Sequence, residues 1–183
     1  MPGGTFFFTL VTYERQPFLC QPLARRLLHN AISDCRKTRP FELVASVLLP
    51  DHLHMIWVLP EGDPDFSTRW SFIKSAFTRG WLAGGGAEGA ITDSRAQNRR
   101  RGVWQRRFWE RCMRDQDDLN RHVDYIHYNP VKHGLALCPH AWEWSSFHRW
   151  ANDGFYERDW CCICTDRSIR TPDFGWANEL EME

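Results

Sequence analysis

The fold of this chain is decided by the stretch FELVASVLLPDHLHMIWVL, which occupies residues 41–59. Both halves are apolar and rich in β-branched or aromatic residues, and the Pro50-Asp51 pair between them is typical of a tight turn. The stretch therefore predicts two strands, over 41–49 and 52–59, that pair as an antiparallel hairpin.

Strand-like and helix-like segments alternate on both sides of this hairpin. β-branched and aromatic runs predict strands, and a 3.6-residue apolar period predicts helices. The predicted strands lie at 5–12 and 104–109, and the predicted helices at 22–37, at 68–82 after an N-cap at Ser67, and from Asp117 or Asp118 into Asn129-Pro130. The resulting order β-α-β-β-α-β-α predicts an α+β fold in which helices flank an antiparallel sheet.

Composition places the 183-residue chain among ordinary globular proteins, because 43% of its residues are hydrophobic and 25% are charged. The longest apolar runs fall short of the ~18 residues that span a bilayer. The first ten residues lack the basic start and small-residue cleavage site of a secretory signal. We therefore expect a cytoplasmic protein with no membrane partner.

Cysteines are scattered, and their number, seven, is odd. A chain of this size folds without staples, so the pattern favours reduced thiols. The run Cys161-Cys162-Ile163-Cys164 has the form of half a metal site, and Cys138 with His140 would complete one. Zinc-finger spacing is missing, however, and free thiols are the favoured interpretation.

Charge is balanced over the whole chain but not along it. Residues 1–152 carry a net charge of +5, and residues 153–183 carry −5. Arginine dominates the basic excess, which is concentrated at Arg95, Arg99, Arg100, Arg101, Arg106, Arg107, Arg111 and Arg114. Because the planar guanidinium suits phosphate, this stretch is either a nucleic-acid contact or a solvated basic loop.

Two sets of residues are candidates for chemistry. His52 and His54 lie two apart on a predicted strand, so both imidazoles project from one face, and a divalent metal would satisfy them there. The alternative is a pair of half-exposed histidines near a strand end. Tyr125 and Asn129 lie one helical turn apart, close to Pro130, where we expect the helix to end. Taken alone, this pattern favours a packed core residue at Tyr125 over a functional one.

Together these motifs resemble those of the HUH single-strand nucleases, and most closely the REP-associated tyrosine transposases. The resemblance covers about residues 4–160. The stretches that carry it are PDHLHMIW (50–57), FSTRWSFIK (66–74), WQRRFWE (104–110), HVDYIHYNPVKHGL (122–135) and WSSFHR (144–149). It implies a ferredoxin-like or RRM-like sheet, with the transposase domain at 1–160, a flexible Gly-rich insert at about 84–101 and an acidic tail at 161–183.

The resemblance also implies an activity. Tyr125 would attack a DNA phosphodiester and retain the 5′ phosphate, and a second 3′-OH would reverse the step and join strands. His52, His54 and Asn129 would bind Mg²⁺ or Mn²⁺. The partner would be single-stranded or hairpin DNA with palindromic repeats, and the protein would be a monomer, with a dimer as the alternative. The expected DNA contacts are Arg69, Lys74, Arg99, Arg100, Arg101, Trp104, Arg106 and Arg107.

Two other functions remain open at this point. One is a metal-dependent nuclease in which water attacks and Tyr125 is structural. The other is a hairpin-binding protein without activity, which has no chemical need for the intact set of His52, His54, Tyr125 and Asn129. The acidic tail, in turn, either competes with DNA for the basic surface or packs on the fold through Trp160, Phe174 and Trp176.

Overall fold

The computed structural model describes residues 3–91, 93, 97, 101–164 and 174. Its named elements are, in chain order, β1 (Thr5–Val11), α1 (Pro22–Thr38), β2 (Glu42–Leu48), β3 (His52–Val58), α2 (Phe66–Ala83), β4 (Trp109–Cys112), α3 (Gln116–Lys132) and α4 (Phe147–Asn152), with 3-10 turns at Tyr13–Arg15 and Pro139–Ala141. The predicted alternation of strands and helices, and with it the α+β class, is confirmed.

The four strands form one antiparallel sheet in the order β2-β3-β1-β4. The predicted hairpin is present, with Leu48 of β2 opposite Leu53 of β3. β3 also pairs along its whole length with β1, where Thr9 lies opposite His54. The two strands at the centre of the sheet therefore carry the histidine pair and the residues facing it.

Both faces of the sheet are buried, because side chains alternate along β1 and β3. Phe8 and Trp57 belong to the core shared with α1 and α2. Phe7 and Ile56 belong to a second core, shared with α3. Burying each such side chain contributes about 1.5–3 kcal/mol, which fixes the strand register. Even-numbered positions of β3, including both histidines, therefore face α3.

Helix α2 begins two residues earlier than predicted. Its N-cap is Asp65, whose carboxylate accepts the backbone N–H of Thr68 at 3.0 Å, so the predicted cap at Ser67 is wrong. A carboxylate satisfies an exposed helical N–H and also interacts favourably with the helix dipole, an advantage that serine lacks.

In the described part of the chain, no helix is both long and apolar enough to cross a bilayer.

Helix α3 differs from prediction at both ends. Its N-cap is Asp115, which accepts the N–H of Asp118 at 2.7 Å, rather than Asp117 or Asp118. At the other end the helix continues through Pro130 to Lys132. Contrary to the prediction from sequence, Pro130 does not end the helix. Because the helix continues to Lys132, that residue lies on the same face as Tyr125.

Strand β4 lies later than the predicted 104–109. Trp104 makes only an isolated bridge to Thr12, and the regular strand begins at Trp109. The intervening backbone is bonded on both sides, since Gln105 N–H donates to the carbonyl of Val11 at 2.9 Å and Lys74 Nζ of α2 donates to the carbonyl of Gln105 at 2.6 Å. The predicted insert at 84–101 lies partly outside the described residues.

The edge strand β2 is covered by the segment 142–150. Leu48 N–H donates to the carbonyl of Trp144 at 2.9 Å, and Ser46 N–H donates to Ser146 Oγ at 2.8 Å. The backbone N–H of Ser146 returns a bond to the carbonyl of Ser46 at 2.8 Å. Backbone groups that β2 would otherwise present to solvent are thus satisfied within the chain.

Candidate active site

The histidine pair lies on the face of β3 that is covered by α3. His52 and His54 are 6% and 3% exposed, and their ring centroids are 5.1 Å apart. The expected juxtaposition of the two imidazoles is therefore observed, whereas half-exposed histidines at a strand end are not. Such burial requires partners for the ring nitrogens.

Each Nδ1 atom has a partner of its own. His54 Nδ1 lies 2.8 Å from Thr9 Oγ1, and His52 Nδ1 lies 2.6 Å from Asp51 Oδ1. Burial alone would raise the pKa of Asp51, but hydrogen bonds from His52 and Arg15 outweigh it and lower the pKa to about 2. An ionised Asp51 accepts from His52 Nδ1 and so fixes the tautomer with its proton there, leaving Nε2 as the atom that could hold a metal.

The atoms that remain are suited to a divalent cation. In the described chain, His54 Nε2 and Asn129 Oδ1 are both buried without a hydrogen-bond partner. The Asn129 side chain adjoins His54, and its amide nitrogen is engaged by the carbonyl of Tyr125 at 2.8 Å, which leaves the oxygen available. Burial lowers the pKa of His54 well below its usual value, helped by the charges of His52 and His133. A neutral imidazole and an amide oxygen, both unpartnered, fit Mg²⁺ or Mn²⁺.

Tyr125 lies on α3 directly over the histidines. Its ring centroid is 5.4 Å from that of His54, and only 1% of the residue is exposed. Lys132 Nζ donates to the phenolic oxygen at 3.5 Å and also lies 4.8 Å from the ring centroid. Phe174 packs edge-on against the same ring at 5.5 Å. A cation is therefore in place to stabilise a phenolate.

Lys132 was missed by sequence reasoning. It lies seven residues after Tyr125, a spacing that returns to the same helix face, so the signal was present. The expectation that α3 ends at Pro130 concealed it.

A cavity of about 500 Å³ adjoins the histidines and Tyr125, and we call it the histidine cavity. His52, His54 and Tyr125 line it together with further cationic or titratable side chains, namely Arg15, Arg107, Lys132 and His133. The positive lining matches a phosphate group. Of the expected DNA contacts that the structure describes, Arg107 is thus the one that lies at the cavity itself.

A second depression, of about 420 Å³, adjoins the first and shares Gln105 and Phe108 with it. We call it the α2 groove; its walls include Ser71, Lys74, Thr78, Arg101, Trp104 and Arg106. The expected contacts Lys74, Arg101, Trp104 and Arg106 therefore line one groove. Arg101 is also paired with Glu88, its Nε donating to Oε1 at 2.7 Å. Arg99 and Arg100 lie outside the described residues.

Arg69 is a correction. The structure places it in the interior, 2% exposed, where its guanidinium donates to the carbonyls of Arg39, Pro40 and Asp65 and pairs with Asp63 at 2.7 Å. An arginine bonded in this way holds the start of α2 in place and has no donor directed toward DNA. Trp104 is likewise largely interior, 5% exposed and 5.1 Å from Phe77, so little of its indole is open to stack on a base.

Comparison with known proteins agrees with this geometry, although no family model matches the chain. The chain is 43% identical over 166 residues to the REP-associated tyrosine transposase of Escherichia coli K12, covering 91% of this chain and 90% of that protein. It is 39% identical over 158 residues to a protein of Haemophilus influenzae named as a putative REP-associated tyrosine transposase, covering 86% and 88%. A solved REP-associated tyrosine transposase bound to a REP hairpin superposes with a TM-score of 0.73 at 41% identity, covering 92% of each chain.

A sheet that presents paired histidines to a helix-borne tyrosine defines the molecule as an HUH-type tyrosine enzyme. Its sequence and fold relatives then set the family: the chain belongs to the REP-associated tyrosine transposases.

Proposed function

We propose that this transposase cleaves and rejoins single-stranded DNA at palindromic hairpins through a covalent bond to Tyr125. The observation that carries the proposal is the placement of the Tyr125 phenol between the Lys132 ammonium and the His54 imidazole, inside one positively lined cavity. A hairpin substrate is supported by the solved relative, which is bound to a REP hairpin.

In the cleavage step, the Tyr125 oxygen forms a bond to the scissile phosphorus as its proton leaves to solvent. The bond from phosphorus to the 3′ oxygen breaks, and that oxygen takes up a proton to become a free 3′-OH. Lys132 stabilises the phenolate, and Arg107 pairs with the phosphate. His52, His54 and Asn129 would hold a divalent cation, whose positive charge would polarise the phosphate.

The rejoining step is the reverse reaction with a second 3′-OH. The phosphotyrosine conserves the energy of the original diester, so no ATP is needed. Exclusion of water from the bond is favoured by the burial of Tyr125, which is 1% exposed and packed against His54 and Phe7. Burial of this kind favours strand transfer over hydrolysis.

The DNA path follows from the adjoining depressions. We infer that the hairpin occupies the α2 groove, with Lys74, Arg101 and Arg106 on its phosphates, and that the single strand at its foot enters the histidine cavity past Gln105 and Phe108.

This function places the protein in the cytoplasm, at the nucleoid when it is bound to DNA. One Tyr125 and one histidine pair in a single chain are sufficient for the cleavage step, so a monomer is expected to cleave.

The test is to incubate Tyr125→Phe with labelled hairpin DNA and Mn²⁺. We expect the covalent adduct, seen on a denaturing gel, to disappear while hairpin affinity stays nearly unchanged, because the phenol acts on the bond. Tyr128→Phe is the matched control and should keep the adduct. Cleavage that persists without an adduct in Tyr125→Phe would establish the hydrolytic mechanism. Binding without any cleavage by the unmodified protein would establish the non-catalytic function.

A further inference from the structure

Three cysteines and one histidine lie close together in the C-terminal part of the described chain. We call them the cysteine–histidine cluster, and its members are Cys138, His140, Cys162 and Cys164. The Sγ atoms of Cys138 and Cys162 are in direct contact, close enough to form a disulfide when the pair is oxidised. Cys164 Sγ lies 3.1 Å from Cys138 Sγ, and His140 Nδ1 lies 3.6 Å from Cys162 Sγ. The ligand atoms of Cys138, His140 and Cys162 all lie within 4.8 Å of one another.

The backbone aligns the two halves of the cluster. Each half is a pair of ligand-type residues separated by one position, Cys138-x-His140 and Cys162-x-Cys164. The N–H of Ile163, at the centre of one pair, donates to the carbonyl of Leu137 at 2.8 Å, just before the other. This bond holds the pairs side by side.

A disulfide uses only two of these four side chains. It leaves a third sulfur and an imidazole in contact with the bonded pair and without a chemical role. A tetrahedral zinc site uses all four, since Cys₃His is one of its standard ligand sets. With Zn–S bonds near 2.3 Å, ligand atoms in such a site are about 3.8 Å apart, close to the spacing already present.

We propose that the cysteine–histidine cluster, when reduced, holds one Zn²⁺ in a closed structural site. Two equivalents of an external thiol open the Cys138–Cys162 bond, giving two cysteine thiols and the oxidised reductant. Each thiol then releases its proton to solvent as its sulfur binds the metal. The site shares no ligand with the histidine cavity, and its sulfur ligands select a softer metal than the imidazole and amide groups there.

The zinc would fasten two segments together. Cys138 and His140 follow α3, the helix that carries Tyr125, Asn129 and Lys132, whereas Cys162 and Cys164 follow α4. Binding energy at a structural zinc site contributes to folding directly. Loss of the metal should therefore lower the melting temperature of the full-length protein, including a variant that carries no catalytic histidines.

The experiment measures zinc in the full-length protein purified under a thiol reductant. We expect one zinc per chain, its loss in the double variant Cys138→Ser with Cys164→Ser, and its retention in Cys112→Ser, which changes an exposed cysteine outside the cluster. Replacement by Co²⁺ should produce thiolate-to-metal charge-transfer absorption. That absorption should survive in the double variant His52→Ala with His54→Ala, so it is independent of the catalytic metal.

If the double cysteine variant does not fold, zinc content can be measured on the unmodified protein. A thiol-modifying reagent then displaces the metal from the cysteines, and a chromogenic chelator reports the zinc that is released. Release of one zinc per chain supports the site. Three reactive cluster thiols with no metal after equilibration with Zn²⁺, a Cys138–Cys162 bond that survives the reductant, or a cobalt spectrum without thiolate absorption would each overturn it.

Discussion

The Nδ1 atom of His54 lies 2.8 Å from the hydroxyl oxygen of Thr9, its direct partner across the β1–β3 ladder. Both residues are buried, and the neighbouring Nε2 atom has no hydrogen-bond partner in the described chain. When His54 Nδ1 carries the proton and donates it to this hydroxyl, the unprotonated Nε2 is the atom open to a metal. We therefore expect Thr9 to act as a positioning residue through His54.

Thr9→Val should weaken Mn²⁺ binding about 10–100-fold, the range found when the partner of a metal-binding histidine is lost. Valine keeps the shape and removes the hydroxyl, so His54 loses its anchor without a change in packing volume. Calorimetric titration with Mn²⁺ measures the effect, and Thr9→Ser should restore affinity. Thr5→Val, on the same strand but opposite Val58, is the matched control. Unchanged affinity in Thr9→Val would place the metal elsewhere.

Lys132→Met should slow formation of the covalent adduct at least tenfold while leaving hairpin affinity nearly unchanged. The ammonium lies 3.5 Å from the Tyr125 oxygen, where it stabilises the negative charge that develops on the attacking atom. Single-turnover cleavage of labelled hairpin measures the rate. Lys132→Arg retains the charge and should recover part of it, and Lys37→Met, on the exposed face of α1, should have no effect. Equal rates in Lys132→Met and the unmodified protein would rule out this role.

Replacing Arg106 and Arg107 with alanine should weaken DNA binding across sequences and flatten its salt dependence. Each lost phosphate contact reduces the logarithmic salt slope by about 0.7 for single strands and about 0.9 for duplex. Arg26→Ala, an exposed arginine of α1, should leave the slope unchanged. Fluorescence anisotropy of labelled DNA over a salt series measures the salt slope. The triple alanine variant of Arg99, Arg100 and Arg101 tests the preceding arginines in the same way. A slope that both sets leave untouched would show that these arginines are only solvated.

The stability of the protein should fall as the pH is lowered from about 6.5 toward about 3, partly because of His127. Burial, reinforced by the charge of Arg149, lowers the pKa of His127 to about 3. The unfolded chain therefore binds a proton that the folded chain refuses, at a cost of up to about 1.4 kcal/mol per pH unit. Urea unfolding at pH 7 and pH 5 measures the change.

The matched variant for that experiment is His127→Gln, which keeps a polar side chain near Ser146 Oγ but does not titrate. Its stability should depend less steeply on pH than that of the unmodified protein. Some dependence should remain, since burial also lowers the pKa values of His54 and His122. Parallel pH profiles for the two proteins would contradict the assignment.

Relationships between residues on the same strand or helix could be predicted from the sequence. The two-residue period of β3 places His52 and His54 on one face, and the four-residue spacing on α3 places Tyr125 and Asn129 together. Both relationships depend only on the geometry of a single element. For the same reason the hairpin and the order of elements were predictable.

Features that depend on contacts between distant segments could not be predicted. The partnership of Thr9 with His54 requires the register of two strands that are separated by 45 residues. The family resemblance implied that Arg69 contacts DNA, yet the carbonyls of Arg39 and Pro40, just after α1, accept from its guanidinium. Strand β4 begins later than predicted, since its regular pairing with β1 starts only at Trp109, opposite Thr9. The acidic tail lies almost entirely outside the described residues, although Trp160 and Phe174 pack on the fold.

The covering of β2 by residues 142–150 affects how copies of this protein meet. An open edge strand recruits other chains by strand addition, the route to swapped dimers and fibrous aggregates. Here Ser46 and Leu48 already give their N–H groups to Ser146 and Trp144, so an incoming strand would first have to displace that segment. The opposite edge, β4, is only four residues long. Strand addition is therefore hindered at both edges of the sheet, at β2 by residues 142–150 and at β4 by the shortness of the strand.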